Sequence, residues 1–501
     1  DRSPSRGLGD VYKRQIILNR HYIIETSNVL TFKGVLDMIK IKRIFALGLA
    51  FSMLYGTVGC KNKSKSESSS ISELISEADT EDVRNTKGQT IYWLSDYDIN
   101  PEENQERSTA LALFEDVYGA KIEYLPAKSS ELMSTLNALL QAGETVDMFP
   151  YYNEYALSGI TDDKFQPLDE YYDVLDMENS MWDDMRDDIE LLEYNENHYV
   201  IPYSRSNPQF LVYKRNFINE FNLEDPYKLY KNGQWTWDKF MEIMKAYAEA
   251  KPDAKLYGIG GDIGQGLVYS TGDTFVTKES GKFKNNLSSP EIEKAENLLT
   301  ELKNSGLYDA DADESDFLSQ ITPLFYGCSD WLLADMNINH EGLDLMAVPY
   351  PKSPDTDKYC VSADLNGKML VKGSDKGTAV AAYIRCERLV QTNEKFLNEK
   401  KAQATEMKKT ISGGSVPFIT AEQYDAVQGF CSADNTAHIF DPAYYLGLGI
   451  FNNRVYNFEV RDTISNLSDA VLKYPENAES WSALKDSLNS RVDSAVALYN
   501  K

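Results

Sequence analysis

Carboxylates are the commonest reactive groups in this 501-residue chain, with 78 Asp and Glu against 51 Lys and Arg and a net charge of −27. Two clusters have the residue types to hold a metal or move a proton. Trp182-Asp-Asp-Met-Arg-Asp-Asp-Ile-Glu190 is one. At helical spacing its acids read more simply as a solvated face. Asp309-x-Asp311-x-Asp313 has the opening spacing of a calcium loop but lacks the glycine and the closing glutamate. His198, His340 and His438 stand far apart, and Cys328, Cys360, Cys386 and Cys431 form no CxxC pair, so a zinc site is not expected. No disulfide is assigned. No nucleophile elbow or HExxH motif occurs. Gly258-Ile-Gly-Gly-Asp-Ile-Gly264 lacks the strand-to-helix phosphate turn of a nucleotide site. No cofactor is implied.

Binding chemistry is better placed. Ile91–Ser95, Lys121–Leu125 and Thr145–Phe149 read as strands. Between them lie two helical patterns, the first opened by Asn100-Pro101-Glu102-Glu103 and ended by Gly119, the second capped by Ser130 and ended by Gly143. This order predicts an α/β fold with a parallel sheet covered by helices. Ligands gather at the carboxyl ends of such strands. Asp96 and Asp98 follow the first strand, where each is either a ligand group or a helix cap. Tyr151, Asn153 and Glu154 follow the third. Further candidates are Gln265 and Tyr269 beside the glycine-rich segment, and Gly413 and Gly414, which admit close backbone approach or simply turn the chain. Strands are also expected at His198–Tyr203, Phe210–Tyr213, Leu343–Tyr350 and Gly367–Val371, with Ser204–Pro208 breaking the run between the first two. Thr236 and Ser289 are expected helix caps.

An export signal precedes all of this. Met38–Arg43 is basic, Ile44–Val58 is apolar, and Gly59-Cys60 follows, the order of a secretory signal peptide. Thr57-Val58-Gly59-Cys60 resembles a bacterial lipobox with threonine in place of the usual leucine, which would make Cys60 a lipidated N-terminus. Residues 60–87, rich in serine, read as a tether. Asp1–Gln15 resembles translated sequencing-adapter sequence, and residues 1–37 are excluded as non-native. The expected mature chain carries a net charge of −32, which repels nucleic acid and anionic headgroups.

Landmarks then align with a family. They are Phe114-Glu-Asp-Val-Tyr-Gly119, Gln166-Pro-Leu-Asp169, Trp235-Thr-Trp-Asp238, Trp331, Val348-Pro-Tyr-Pro-Lys352 and Gly413-Gly-Ser-Val-Pro417. Val146-Asp147-Met148 stands where Pro-Asp-Ile is usual, and Lys239 stands where an acid would complete the capping box. The chain resembles the extracellular solute-binding lipoproteins of ABC importers, in the sugar-binding class that includes maltose-binding protein. The resemblance implies two α/β lobes joined by a hinge. Lobe 1 would be residues 88–204 with 349–420, and lobe 2 residues 205–348 with 421–501. It places a ligand-stacking tryptophan at Trp331, beside Asp330, against the alternative of a core residue. Tyr203 and Arg205 fall at the implied hinge. Trp235 and Trp237 read as packing around a helix start.

The resemblance implies a monomeric, non-enzymatic receptor on the outer face of the cytoplasmic membrane. It would deliver a carbohydrate to permease subunits by hinge closure. Receptors for a peptide or another solute, and an extracellular glycosidase, are the competing readings. With this many acids, a carboxylate pair is always available and argues nothing for the glycosidase.

Overall fold

The computed structural model describes residues 85–102, 105–251, 255–319, 322–339, 343–409, 415–448 and 480–500. Residues 1–37, the signal segment 38–59, Cys60 with the tether to residue 84, His340, Gly413 and Gly414 lie outside the described residues.

The chain opens as alternating strands and helices. β1 (Thr90–Ser95) leads to α1 (Thr109–Leu113), β2 (Lys121–Pro126), α2 (Leu132–Ala142), β3 (Met148–Pro150) and α3 (Asn153–Thr161). Then come β4 (Phe165–Gln166), α4 (Arg186–Leu191) and β5 (Ile201–Ser206). Two expected helix starts are corrected. Ser108, not Asn100, caps α1 by accepting the Leu111 N–H at 3.2 Å. The Asn100 amide instead donates to Asp98 Oδ1 and to the Ile122 carbonyl, which ties it to the loop beside β2. Ser130 lies inside a 3₁₀ turn, Ser129–Glu131, that precedes α2 and caps nothing. Gly119 closes the first helical segment at φ +65°, where a side chain would be strained. A third correction concerns β5, which continues through Ser204 and Arg205 and breaks only at Asn207-Pro208.

The second run holds β6 (Phe210–Lys214), α5 (Trp237–Glu249), β7 (Ile259–Gly260) and α6 (Gly264–Tyr269). The hairpin β8 (Val276–Glu279) and β9 (Lys282–Asn285) precedes α7 (Pro290–Asn304). It ends with β10 (Tyr308–Asp309), β11 (Phe325–Cys328), α8 (Asp330–Asn339) and β12 (Leu345–Val348). Thr236 caps α5 and Ser289 caps α7, as expected. Trp235 packs on Phe325 and Phe240 and donates to the Pro349 carbonyl at 2.8 Å, while Trp237 donates to Ser270 Oγ at 2.9 Å. Both are buried packing residues.

The chain then returns through β13 (Tyr359–Ser362) and β14 (Asp364–Val371) to α9 (Gly377–Thr392). The hairpin β15 (Met407–Lys409) and β16 (Ser415–Pro417) follows, then α10 (Ala421–Cys431), β17 (Thr436–Ile439), α11 (Pro442–Tyr445) and α12 (Trp481–Tyr499). One sheet runs β2-β1-β3-β14-β4, with β5 also paired to β14. The other runs β10-β7-β11-β6-β12. β1, β2 and β3 are parallel, β14 is antiparallel to β3, and β5 is antiparallel to β14. The carboxyl ends of β1, β3 and β5 therefore share an edge with the start of β14. In the second sheet β7, β11 and β12 share one direction, and β6 runs against both β11 and β12.

This geometry fixes where the chain crosses between sheets. Ser206 ends β5 at the carboxyl edge of the first sheet. After the three residues Asn207, Pro208 and Gln209, Phe210 opens β6 opposite Cys328, at the carboxyl edge of the second. The return from Val348 through β13 to Asp364 joins the same two edges. The crossings are bonded to each other: Gln209 N–H donates to the Ser362 carbonyl at 2.8 Å, and the Asn207 amide to Asp364 Oδ2 at 2.8 Å. All four cysteines from Cys328 onward are free. No described helix is long and apolar enough to cross a membrane.

Candidate solute-binding site

The edge of the first sheet gathers several of the predicted residues. Tyr151 follows β3, is 5% exposed, and its N–H donates to the Gly367 carbonyl of β14 at 3.0 Å. Its hydroxyl is buried and has no partner among the described residues. Burial, with Tyr445, Glu154, Asp364 and Asp188 nearby, pushes its phenol well up. Asn153 starts α3, and its Oδ1 is also buried without a partner among the described residues. Glu154 lies half-buried in the first turn. A buried polar atom without a partner is costly, and both of these lie on the segment that follows β3. Asp96 Oδ1 accepts the Tyr152 hydroxyl at 2.6 Å. Asp98 is exposed and accepts from the Asn100 backbone and amide, which fixes its own loop.

Tyr203 and Arg205 lie on β5. Arg205 is held by Asp188 at 2.5 Å and by Asp184 at 3.6 Å. Asp188 is buried, and desolvation raises its carboxyl to about 6 despite the arginine. The acidic run 182–190 is thus more than a solvated face: Trp182 and Asp188 are buried, and Asp184 also pairs with Arg388. Among the described residues no group of three or more His, Cys, Asp or Glu is placed to hold a metal.

The second sheet contributes α6 and α8 at its carboxyl edge. Tyr269 is buried, donates to Asp441 Oδ2 at 3.1 Å and accepts from the Gln265 amide at 3.0 Å. Gln265 also bonds the Tyr444 hydroxyl. These two side chains hold α11 in place. Asp441 completes the attachment by accepting the N–H groups of Phe275, Val276 and Ala443 at 2.7, 3.2 and 2.9 Å. Burial raises its carboxyl to about 6. Asp330 is buried at the start of α8, and its Oδ1 accepts the Trp331 N–H at 2.8 Å.

Trp331 differs from the other five tryptophans, all of them described. Trp93, Trp182, Trp235, Trp237 and Trp481 are buried, whereas Trp331 is only half-buried. No hydrogen bond reaches its indole nitrogen, and no ring packs on it, among the described residues. A half-covered indole beside the carboxyl end of β11 is suited to stacking on a flat apolar ligand face.

Several residues at these edges escape sequence reading. Asp364 starts β14, touches solvent and is bonded by Asn207; crowding protein still pushes its carboxyl up. Asn366 donates to Ser204 Oγ at 3.1 Å. Lys368 lies beside Pro150 and Ile201. The expected strand began only at Gly367. A longer strand prediction would have exposed the alternation of Asp364, Asn366 and Lys368. Tyr445 is equally invisible: its ring centroid lies 6.5 Å from that of Tyr151, which is distant in sequence.

Comparisons with known proteins agree with this arrangement. A family model described as bacterial extracellular solute-binding protein matches residues 109–429. No curated protein sequence matches the chain. Among solved structures, the sugar-binding protein MalE from Xanthomonas citri is 14% identical with a TM-score of 0.56, covering 82% of this chain and 98% of that one. A cyclic alpha-maltosyl-1,6-maltose binding protein from Arthrobacter globiformis is 12% identical with a TM-score of 0.55, covering 81% and 98%. UgpB from Mycobacterium tuberculosis, in complex with glycerophosphocholine, is 16% identical with a TM-score of 0.53, covering 82% and 99%. These likenesses show the fold, the two-lobed α/β architecture of such binding proteins. The family is one of binding proteins and not of enzymes, and this chain belongs to it: it is a bacterial extracellular solute-binding protein.

Proposed function

We propose that the chain is a lipid-anchored receptor that takes an oligosaccharide between the carboxyl edges of its two sheets and delivers it to an ABC permease. Trp331 carries the reading. An open indole face suits the C–H face of a sugar ring, and the partnerless Tyr151 hydroxyl and Asn153 Oδ1 suit its hydroxyl groups. Arg205 on β5 is occupied by Asp184 and Asp188, so it is not a ready partner for an anionic solute.

Closure would bend the crossings at Asn207–Gln209 and 349–363. In this reading lobe 1 is residues 88–206 with 349–420, and lobe 2 the rest of the folded chain, since β5 runs on to Ser206. Cys60 would carry the lipid, and the acidic mature chain would act as a monomer outside the cell. A thermal-shift screen of the full chain against mono- and oligosaccharides, with peptides and amino acids as controls, tests this. A rise in melting temperature with one glycan class is expected. A rise with peptides alone would transfer the receptor to another solute class.

A further inference from the structure

Lys368 is 2% exposed, yet among the described residues no carboxylate lies within ion-pairing distance of it. Its Nζ lies 3.0 Å from the Tyr97 hydroxyl and 2.9 Å from the Tyr203 hydroxyl. Three aromatic faces surround it, with Trp93, Tyr203 and Tyr97 centroids at 4.9, 5.1 and 5.7 Å. Such faces stabilise a desolvated ammonium. Glu387, the acid that acts on it electrostatically, is engaged by the Tyr383 hydroxyl at 2.6 Å.

The donor and acceptor roles follow from chemistry. An ammonium donates and never accepts, so both phenol oxygens must accept from Lys368. Each phenol keeps one proton to give. Among the described residues neither proton has an acceptor. Tyr203 is 8% exposed, and a buried hydroxyl without an acceptor is costly. The pair sits at the edge already described. Tyr97 comes two residues after β1, Tyr203 lies on β5, and Lys368 lies opposite Pro150.

Resting on the receptor reading above, we infer that Lys368 fixes the hydroxyls of Tyr97 and Tyr203 as paired hydrogen-bond donors for an acceptor oxygen of the bound solute. That oxygen is a ring or glycosidic ether, or a carboxylate. Tyr97 is the contacting residue, and Lys368 is a positioning residue that acts through it.

Calorimetric titration of the full chain with two probes, maltotetraose and tetragalacturonate, tests the assignment. Tyr97→Phe removes one hydroxyl and keeps the ring. It is expected to weaken whichever probe binds by about tenfold, beyond a modest fall in the melting temperature of the free protein as Lys368 loses one acceptor. Lys368→Met is expected to weaken binding in the wild type and to add little in the Tyr97→Phe background. If Lys368→Met does not fold, Tyr97→Phe alone decides. A loss on both probes assigns the oxygen to an ether, and a loss on tetragalacturonate alone to a carboxylate. Tyr97→Phe binding as tightly as wild type would overturn the inference and leave the receptor reading standing. A wild type that binds neither probe overturns the inference for these two glycan classes and leaves the receptor reading to the wider thermal-shift screen.

Discussion

The Tyr445 hydroxyl donates to the Leu192 carbonyl at 3.0 Å, across 253 residues of sequence. Through it α11 reaches the first sheet's surroundings, while Asp441 at its start holds β8 and the neighbouring Tyr444 bonds Gln265 of α6. A four-residue helix thus spans the two halves of the binding edge. Tyr445→Phe strands a buried carbonyl and is expected to lower unfolding free energy by about 1 kcal/mol, read by urea denaturation. An unchanged midpoint would mean that this bond does not brace the fold.

Trp331→Ala is expected to remove at least about tenfold of glycan affinity, about 1.4 kcal/mol, with little change in the free protein's melting temperature. The indole is half-buried and unpartnered among the described residues, so the fold does not depend on it. A large drop in melting temperature would mark it instead as a core residue.

Arg205→Met is expected to destabilise the protein by about 3 kcal/mol, because the buried Asp188 loses its partner and must either stay charged or take up a proton. Asp188→Asn in the same background should recover part of the loss. No recovery would show that the arginine matters by its packing alone.

Asp441 supplies a pH dependence. Its folded carboxyl titrates near 6, above the ordinary 3.8. The folded state therefore binds the proton more tightly than the unfolded chain. The contribution to stability is complete below about pH 4 and lost as pH rises through about 6, for at most about 3 kcal/mol. Asp441→Asn cannot titrate. The melting gap between wild type and this variant should be wider at about pH 4.5 than at about pH 8. A gap independent of pH would place the titration elsewhere.

Local patterns were legible where one element decides its own form. Thr236 and Ser289 cap their helices, Gly119 and Gly143 end theirs, and the first three strands lie parallel. Asn100-Pro-Glu-Glu misled because Asn100 found better partners in Asp98 and the Ile122 carbonyl than a helix start offered. Among the candidate site residues, Tyr151, Asn153 and Trp331 come from position after a strand or from the resemblance. Tyr97, Lys368 and Asp364 do not. Their meaning comes from β14 returning antiparallel beside β3, a pairing across more than 200 residues that no local spacing records.

The uneven burial of the tryptophans gives the protein a built-in optical reporter. Five indoles are buried and supply a steady background emission. A solute that covers the sixth, Trp331, would change the polarity around the one partly exposed indole. Binding there would then be readable from the intrinsic fluorescence of the unlabelled chain, and Trp331→Phe would remove the shift.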